Sequence, residues 1–263
     1  MGSFFYMSNN PIGFFDSGIG GVTLWKEVHS ILPYENKIYL ADSINSPYGD
    51  KSDKELEEIS CKNSEFLLEK GCKMIIVACN TATTKCIEKL RKRFDVPFIG
   101  IEPAIKPAAL DTKTGKVGVL ATEGTLGSDL FYNTSNKHAS SVKIIEQSGK
   151  GLVPLIEQGK MDGDEIKNLL RKYLQVMINE NVDKLVLGCT HYPLIIKSIS
   201  EILPKTIEIL DCNKAVAIQT KKVLQSNRIF NLNKIESKNQ FYVNSENSIL
   251  GKIIDTKFNV IKI

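Results

Sequence analysis

No stretch of this 263-residue sequence has the ~20 consecutive apolar residues that a membrane-spanning helix requires, so no membrane partner is expected. The first ten residues, MGSFFYMSNN, lack both the basic start and the long apolar run of a secretory signal; they read as a loose leader before the first strand. There is no C-x-x-C pair of the kind common in zinc sites. Nor is there a G-x-G-x-x-G turn or a G-K-[ST] phosphate loop, which leaves nucleotide binding without support. Cysteine is scarce at 6 residues, several within apolar runs, and reduced thiols in the cytoplasm are expected rather than a disulfide framework. Charge of one sign is lacking too. The 34 basic residues face 30 acidic ones, a net +4 spread along the chain, whereas a nucleic-acid partner calls for a concentrated basic stripe. That balance is compatible with a small anionic ligand.

What the sequence has instead is a regular alternation. Apolar, β-branched runs at 12–16 (IGFFD), 37–41 (KIYLA), 73–78 (KMIIVA), 97–101 (PFIGI), 116–120 (KVGVL), 142–146 (VKIIE), 184–188 (KLVLG) and 206–210 (TIEIL) read as strands covered on both faces. Helical patterns lie between them. The clearest spans 163–180, where Ile166, Leu169, Leu170, Tyr173, Leu174 and Met177 form one stripe, with Asp162 and Glu165 spaced as a capping box. Another covers 54–70, with Gly71 as its stop. The order predicts an α/β fold of mainly parallel sheets flanked by helices.

Two pairs of segments correspond. ACNTAT (78–83) and GCTHYP (188–193) each follow a strand and open a helix, Pro193 standing where a first-turn proline is favoured. IGFFDSG (12–18) and KVGVLAT (116–122) match in the same way. Two similar lobes are therefore expected, each with a cysteine at the carboxyl end of a strand, where open α/β sheets bind ligands. Residues 102–108 (EPAIKPA) and 211–214 (DCNK) are the candidate crossings, which makes one lobe discontinuous (1–101 with 211–263) and the other 102–210. The tail beyond 227, with QFYVN and FNVIKI, gives weak strand signals.

Cys61, Cys72, Cys86 and Cys212 read as small core hydrophobes. Cys79 and Cys189 stand apart, because a strand-to-helix junction offers free N–H groups and a positive dipole end that favour a thiolate. Three chemistries compete with a purely structural role for the pair. Cys79, Cys189 and His191 could form a Cys₂His zinc set. Either cysteine with His191 could be a hydrolase nucleophile, which leaves the second thiol unexplained. Or the two thiols could exchange protons with opposite faces of one carbon, a reaction whose symmetry a duplicated lobe supplies. In FDSGIGGVT (15–23) the glycines permit tight turns and close approach of N–H groups to an anion, with Asp16 either a turn cap or a functional carboxylate. SPYG (46–49) reads as a surface turn.

Taken as a set, FDSGIGGVT, SPYGDK, ACNTAT, VPLIEQG and GCTHYP resemble the glutamate racemase branch of the cofactor-independent Asp/Glu racemase superfamily, in its order and approximate spacing over residues 12–215. The resemblance implies an isomerase that interconverts L- and D-glutamate with its site between the lobes. It implies no cofactor and no metal, a cytoplasmic and often homodimeric protein, and D-glutamate supply for peptidoglycan, hence for cell-wall biogenesis and cell shape. It casts Cys79 and Cys189 as the proton-transfer residues, Cys79 acting on D-glutamate and Cys189 on L-glutamate. Asp16, Glu157 and His191 resemble residues that assist them. Asp16 and Ser17, Tyr48 and Gly49, Asn80 and Thr81, and Thr190 with His191 resemble the substrate-binding positions. One departure is the SGKG before VPLIE, where relatives commonly have a Cys-Pro pair. No pyridoxal phosphate signature accompanies these motifs.

Overall fold

Unbroken apolar runs satisfy both faces only in a sheet that is covered twice, and the computed structural model builds two such sheets, although the edge strands Lys143–Ser148 and Glu208–Leu210 of the second are only partly covered, contrary to the expectation from sequence. It describes residues 8–139, 141–254 and 258–263; residues 1–7 of the expected leader lie outside the described residues. All eight expected strands form: β1 (Ile12–Asp16), β2 (Lys37–Ala41), β3 (Met74–Val77), β4 (Phe98–Gly100), β5 (Lys116–Ala121), β6 (Lys143–Ser148), β7 (Lys184–Gly188) and β8 (Glu208–Leu210). The weak signals of the tail become β9 (Asn239–Val243) and β10 (Val260–Lys262). The first sheet runs β10-β9-β2-β1-β3-β4 and the second β6-β5-β7-β8, with every pairing parallel. The first four strands of each sheet thus share one order, second-first-third-fourth. β1 corresponds to β5 and β3 to β7, the correspondence that the paired sequence segments predict.

The chain passes from β4 to β5 through the helix Ile105–Asp111 and returns after β8 in the helix Asn213–Ser226, which packs on Val22–Ile31 behind the first sheet. One apolar cluster joins Phe14 and Ile76 of the first sheet to Val119 and Leu187 of the second. Another, with Phe15, Val77 and Tyr48, fills the opposite face of the first sheet and takes in Cys61, Cys72 and Cys86. The six cysteines are all buried and free. At the start of β3, Glu35 binds Lys73 at 2.6 Å and accepts the Asn231 N–H at 2.8 Å, tying the polar tail to the sheet's lower edge.

Helix ends show one correction. The helix Asp164–Asn179 buries its predicted stripe, with Leu169 partly covered, yet no capping box forms at Asp162 and Glu165. Gly163 occupies the cap at φ 96°, so the Asp162 carboxylate falls one residue too early; it accepts the Gly163 N–H and Lys167, while Glu165 binds Lys160. A capping box occurs on Asp53–Glu69 instead, where Ser52 and Glu55 exchange hydrogen bonds. Gly71 stops that helix at φ 79°, its N–H bonding Leu68 O and the Cys72 N–H bonding Leu67 O.

Candidate active site

The parallel register sets the carboxyl ends of β1 and β3 side by side, so Asp16 and Cys79 leave neighbouring strands together. Asp16 is fully buried. Its Oδ2 accepts the Gly21 N–H at 2.9 Å, which makes it a cap for its own turn, and its Oδ1 accepts the Thr190 hydroxyl at 3.2 Å from the second sheet. The two readings of this residue are thus compatible. Burial raises its carboxyl to about 6, although the charge of His191 and the Gly21 N–H oppose the rise.

The glycines after Asp16 owe their place to close approach, and the anions they admit are the protein's own carboxylates. A Cβ on Gly18 would stand 1.9 Å from Glu157 Oε1, and one on Gly20 would stand 2.4 Å from His191 Nδ1. Between them the Ile19 N–H donates to Glu157 Oε1 at 2.8 Å. The same oxygen meets His191 Nε2 at 2.6 Å. Glu157 therefore joins the turn after β1 to an imidazole that follows β7.

The two thiols have different neighbours. Cys79 caps the helix Asn80–Arg93, as the sequence pattern predicts, and its Sγ lies 3.9 Å from Ser17 Oγ. The helix end does not prevail: burial pushes this thiol well up, and Asp16 adds to the rise. Cys189 does not adjoin a long helix. It leads into a 3₁₀ turn, Tyr192–Ile195, and then only Ile196–Ile202. Its sulfur is met by an imidazole instead, His191 Nδ1 at 3.9 Å. Although burial works against the charged ring, hydrogen bonds with Cys189 and Glu157 and the charges of Glu157 and Asp16 carry its pKa well above the usual histidine range.

Both sulfurs line one narrow cavity between the sheets, about 10 Å³ in volume, together with Ser17, Asn80, Thr190 and His191. Tyr48, Gly49 and Thr81 complete the predicted set around it. Asp16 and Glu157 stand one layer behind that wall. The SPYG segment is not a surface turn, since Tyr48 is buried and its hydroxyl donates to Asp42. Asn80 spends its amide on Ile101 O at 3.1 Å. Among the described residues no group of three His, Cys, Asp or Glu is arranged to hold a metal, so Cys79, Cys189 and His191 do not make the Cys₂His set. Sequence reasoning missed Thr122, whose hydroxyl lies 2.8 Å from Thr81 across the cleft and 2.9 Å from Thr125 in its own turn. It stands at the end of β5 as Ser17 stands near the end of β1, a position the duplicated segments already offered.

The chain matches the model of the Asp/Glu/Hydantoin racemase family over residues 29–220. It is 40% identical over 225 residues to glutamate racemase of Herpetosiphon aurantiacus, covering 86% of this chain and 89% of that protein. It resembles the crystal structure of glutamate racemase isoform RacE1 from Bacillus anthracis (TM-score 0.86, 29% identity, 97% and 98% of the two chains). The glutamate racemase of Francisella tularensis in complex with D-glutamate gives a TM-score of 0.84 at 29% identity, over 98% of each chain. This chain belongs to the Asp/Glu/hydantoin racemase family. The racemase is accordingly an isomerase, and among its described residues no helix is long and apolar enough to cross a membrane.

Asp16 yields a prediction on stability. Its carboxyl titrates near 3.8 when exposed and at about 6 in the folded racemase. Between those values the folded state holds the extra proton, so stability falls as pH rises through that window, by about 3 kcal/mol in total at about 1.4 kcal/mol per pH unit. Asp16→Asn can keep both hydrogen bonds if its amide donates to Thr190. It is expected to be more stable than wild type at pH 7–8 by roughly 1–3 kcal/mol, and to lose that gain near pH 4. Denaturant melts at the two pH values check this; a variant less stable at both overturns it.

Proposed function

We propose that this racemase interconverts L- and D-glutamate by passing protons between the substrate α-carbon and two thiols on opposite faces. The observation that carries the reading is the pair Cys79 and Cys189 opening into one cavity, Cys79 beside Ser17 and under the charge of Asp16, Cys189 beside His191. The D-glutamate bound to the Francisella tularensis relative supports the choice of substrate. Cys79, as thiolate, takes the α-proton of D-glutamate while Cys189, as thiol, gives one to the other face; the roles exchange for L-glutamate. Asp16, with its raised carboxyl, accepts the Cys79 proton and returns it. The imidazole of His191, held by Glu157, serves Cys189 in the same way. The high pKa that burial gives Cys79 makes its thiolate a stronger base once formed, which suits an α-proton far less acidic than a thiol.

Ser17, the hydroxyls of Thr81 and Thr190, the side chain of Asn80 and the loop at Tyr48 and Gly49 bind the substrate's carboxylates and ammonium group. The first turn of Asn80–Arg93 leaves N–H groups without intrahelical partners, ready for a carboxylate. The carbanion-like transition state develops among fixed dipoles with little water, where such donors act most strongly. The site lies between two lobes, 1–101 with 211–263 and 102–210. The protein works as a cytoplasmic homodimer and supplies D-glutamate for peptidoglycan.

The decisive experiment gives the purified protein L- or D-glutamate in heavy water after dialysis against a strong chelator, with no cofactor added. Optical rotation is expected to decay to zero with deuterium entering the α-position of the product. Aspartate run in parallel is expected to stay optically active. Activity lost on chelation and restored by zinc, or aspartate racemised in preference to glutamate, would overturn the reading.

A further inference from the structure

Asp42 belongs to none of the motifs singled out in the sequence, yet it is the most heavily hydrogen-bonded carboxylate beside the cavity. It follows β2 directly, is 1% exposed, and sends its N–H to Asp16 O at 2.9 Å. Its carboxylate accepts from four uncharged side chains: the Tyr48 hydroxyl, Asn45 at 2.8 Å, Asn63 at 3.2 Å and Asn244 at 2.5 Å. A buried carboxylate held only by neutral dipoles costs desolvation that a surface position would avoid. Such an arrangement is expected where geometry, not stability, is at stake.

Tyr48 is the member that faces the cavity. Its hydroxyl donates to Asp42 and accepts from Asn63 Nδ2 at 2.8 Å, so the ring is pinned from both sides and has no donor left for a ligand. The neighbouring Gly49 packs on the second sheet, where a Cβ would lie 3.0 Å from Thr122 Cβ. A small rotation of Tyr48 would therefore move the backbone of 48–49 against the opposite wall. Asn244 closes the arrangement. The register Ala41↔Val243 puts it beside Asp42, and while its Nδ2 holds the carboxylate its Oδ1 accepts the Ile44 N–H at 3.0 Å. The tail strand β9 thereby reaches the loop that lines the cavity.

We propose that Asp42 is a positioning residue for racemisation: it acts through Tyr48, sets the Tyr48–Gly49 wall of the cavity, and is itself anchored by Asn244 of the tail. This inference rests on the racemase reading of that cavity. The wall shares the cavity with both thiols but supplies no proton of its own, the Tyr48 hydroxyl being committed to Asp42, so its displacement weakens binding of both enantiomers alike.

The test measures kcat and KM for L- and D-glutamate in wild type, Asp42→Asn, Tyr48→Phe and the double variant, with thermal melts of each. Asp42→Asn is expected to raise KM for both enantiomers about tenfold while kcat changes less than about threefold. In the Tyr48→Phe background the same substitution is expected to move KM less than about threefold, because the residue it acts through is already released. An undiminished effect in that background, or a fall in melting temperature with KM unchanged, overturns the proposal. Should Asp42→Asn fail to fold, Asn244→Ala carries the same comparison, with KM raised about threefold or more in wild type and unchanged beside Tyr48→Phe. If wild type racemises aspartate and not glutamate, the substrate reading fails separately and the four proteins are compared on aspartate.

Discussion

Cys79→Ser and Cys189→Ser are each expected to lose racemisation by a factor of ~10³ or more, since a positioned acid or base contributes about 10²–10⁴ and serine supplies neither role near neutral pH. Inversion needs a donor on one face and an acceptor on the other. Serine nearly preserves size, so the cavity survives, but a hydroxyl is a far weaker acid than a thiol. Each variant keeps one thiol with its own partner: Cys189 with His191 in the first, Cys79 with Ser17 and Asp16 in the second. Residual exchange should therefore be one-sided. Cys189→Ser is expected to exchange the α-proton of D-glutamate with solvent, and Cys79→Ser that of L-glutamate, each without inversion. Deuterium incorporation and circular dichroism, followed on the same sample, separate exchange from racemisation. A near-native rate in either variant, free of contaminating wild type, would sink the two-thiol mechanism.

Gly20→Ala is expected to be nearly as damaging, for a reason that lies in packing rather than chemistry. The new methyl would stand 2.4 Å from His191 Nδ1, 2.7 Å from its Cγ and 2.7 Å from its backbone N. A ring atom could swing aside, but a backbone nitrogen between two sheets cannot, so the turn after β1 must part from the segment after β7. Thr190 would then leave Asp16, and Ile19 would leave Glu157. We expect kcat/KM to fall by about 10²-fold or more, with a stability loss of about 1–3 kcal/mol from overpacking. Gly18→Ala makes the informative contrast. The three atoms nearest its methyl all belong to the Glu157 carboxylate, Oε1 at 1.9 Å, and that carboxylate is the far end of a flexible side chain. It should fold almost as stably as wild type while losing the Glu157–His191 contact, and its loss should be larger in the direction that uses Cys189 as base. Equal stability losses in the two variants would show that the tight approach at Gly20 is relieved more easily than the geometry implies.

Parts of this architecture were legible in the chain because the physics behind them is local. Continuous apolar runs specify strands, and all eight such runs are strands, though the edges β6 and β8 are only partly covered rather than buried on both faces. The two halves also carry matching strand–cysteine segments, which predicted two similar lobes; that the two sheets share one strand order is a finding of the structure. The capping box at Asp162 was misread because S/T/D-x-x-E spacing does not say which residue starts the helix; the left-handed Gly163 decided that. β9 and β10 were faint because only Phe241, Tyr242 and Val243 of β9 are buried and β10 is an exposed edge.

By itself, then, the sequence determined the α/β class, the duplication and the strand-end positions of the two candidate thiols, since periodicity, turn chemistry and the family's motifs are all written in neighbouring residues. Only the tertiary structure decided how each thiol is treated. Asp16 with Thr190, Ile19 with Glu157 and Asp42 with Asn244 are partners separated by more than a hundred residues of chain. Their meeting follows from sheet register and from glycines thin enough to let the two sheets touch. Burial, which reverses the effect expected of a helix end at Cys79, likewise exists only once that cleft has closed around the sulfur.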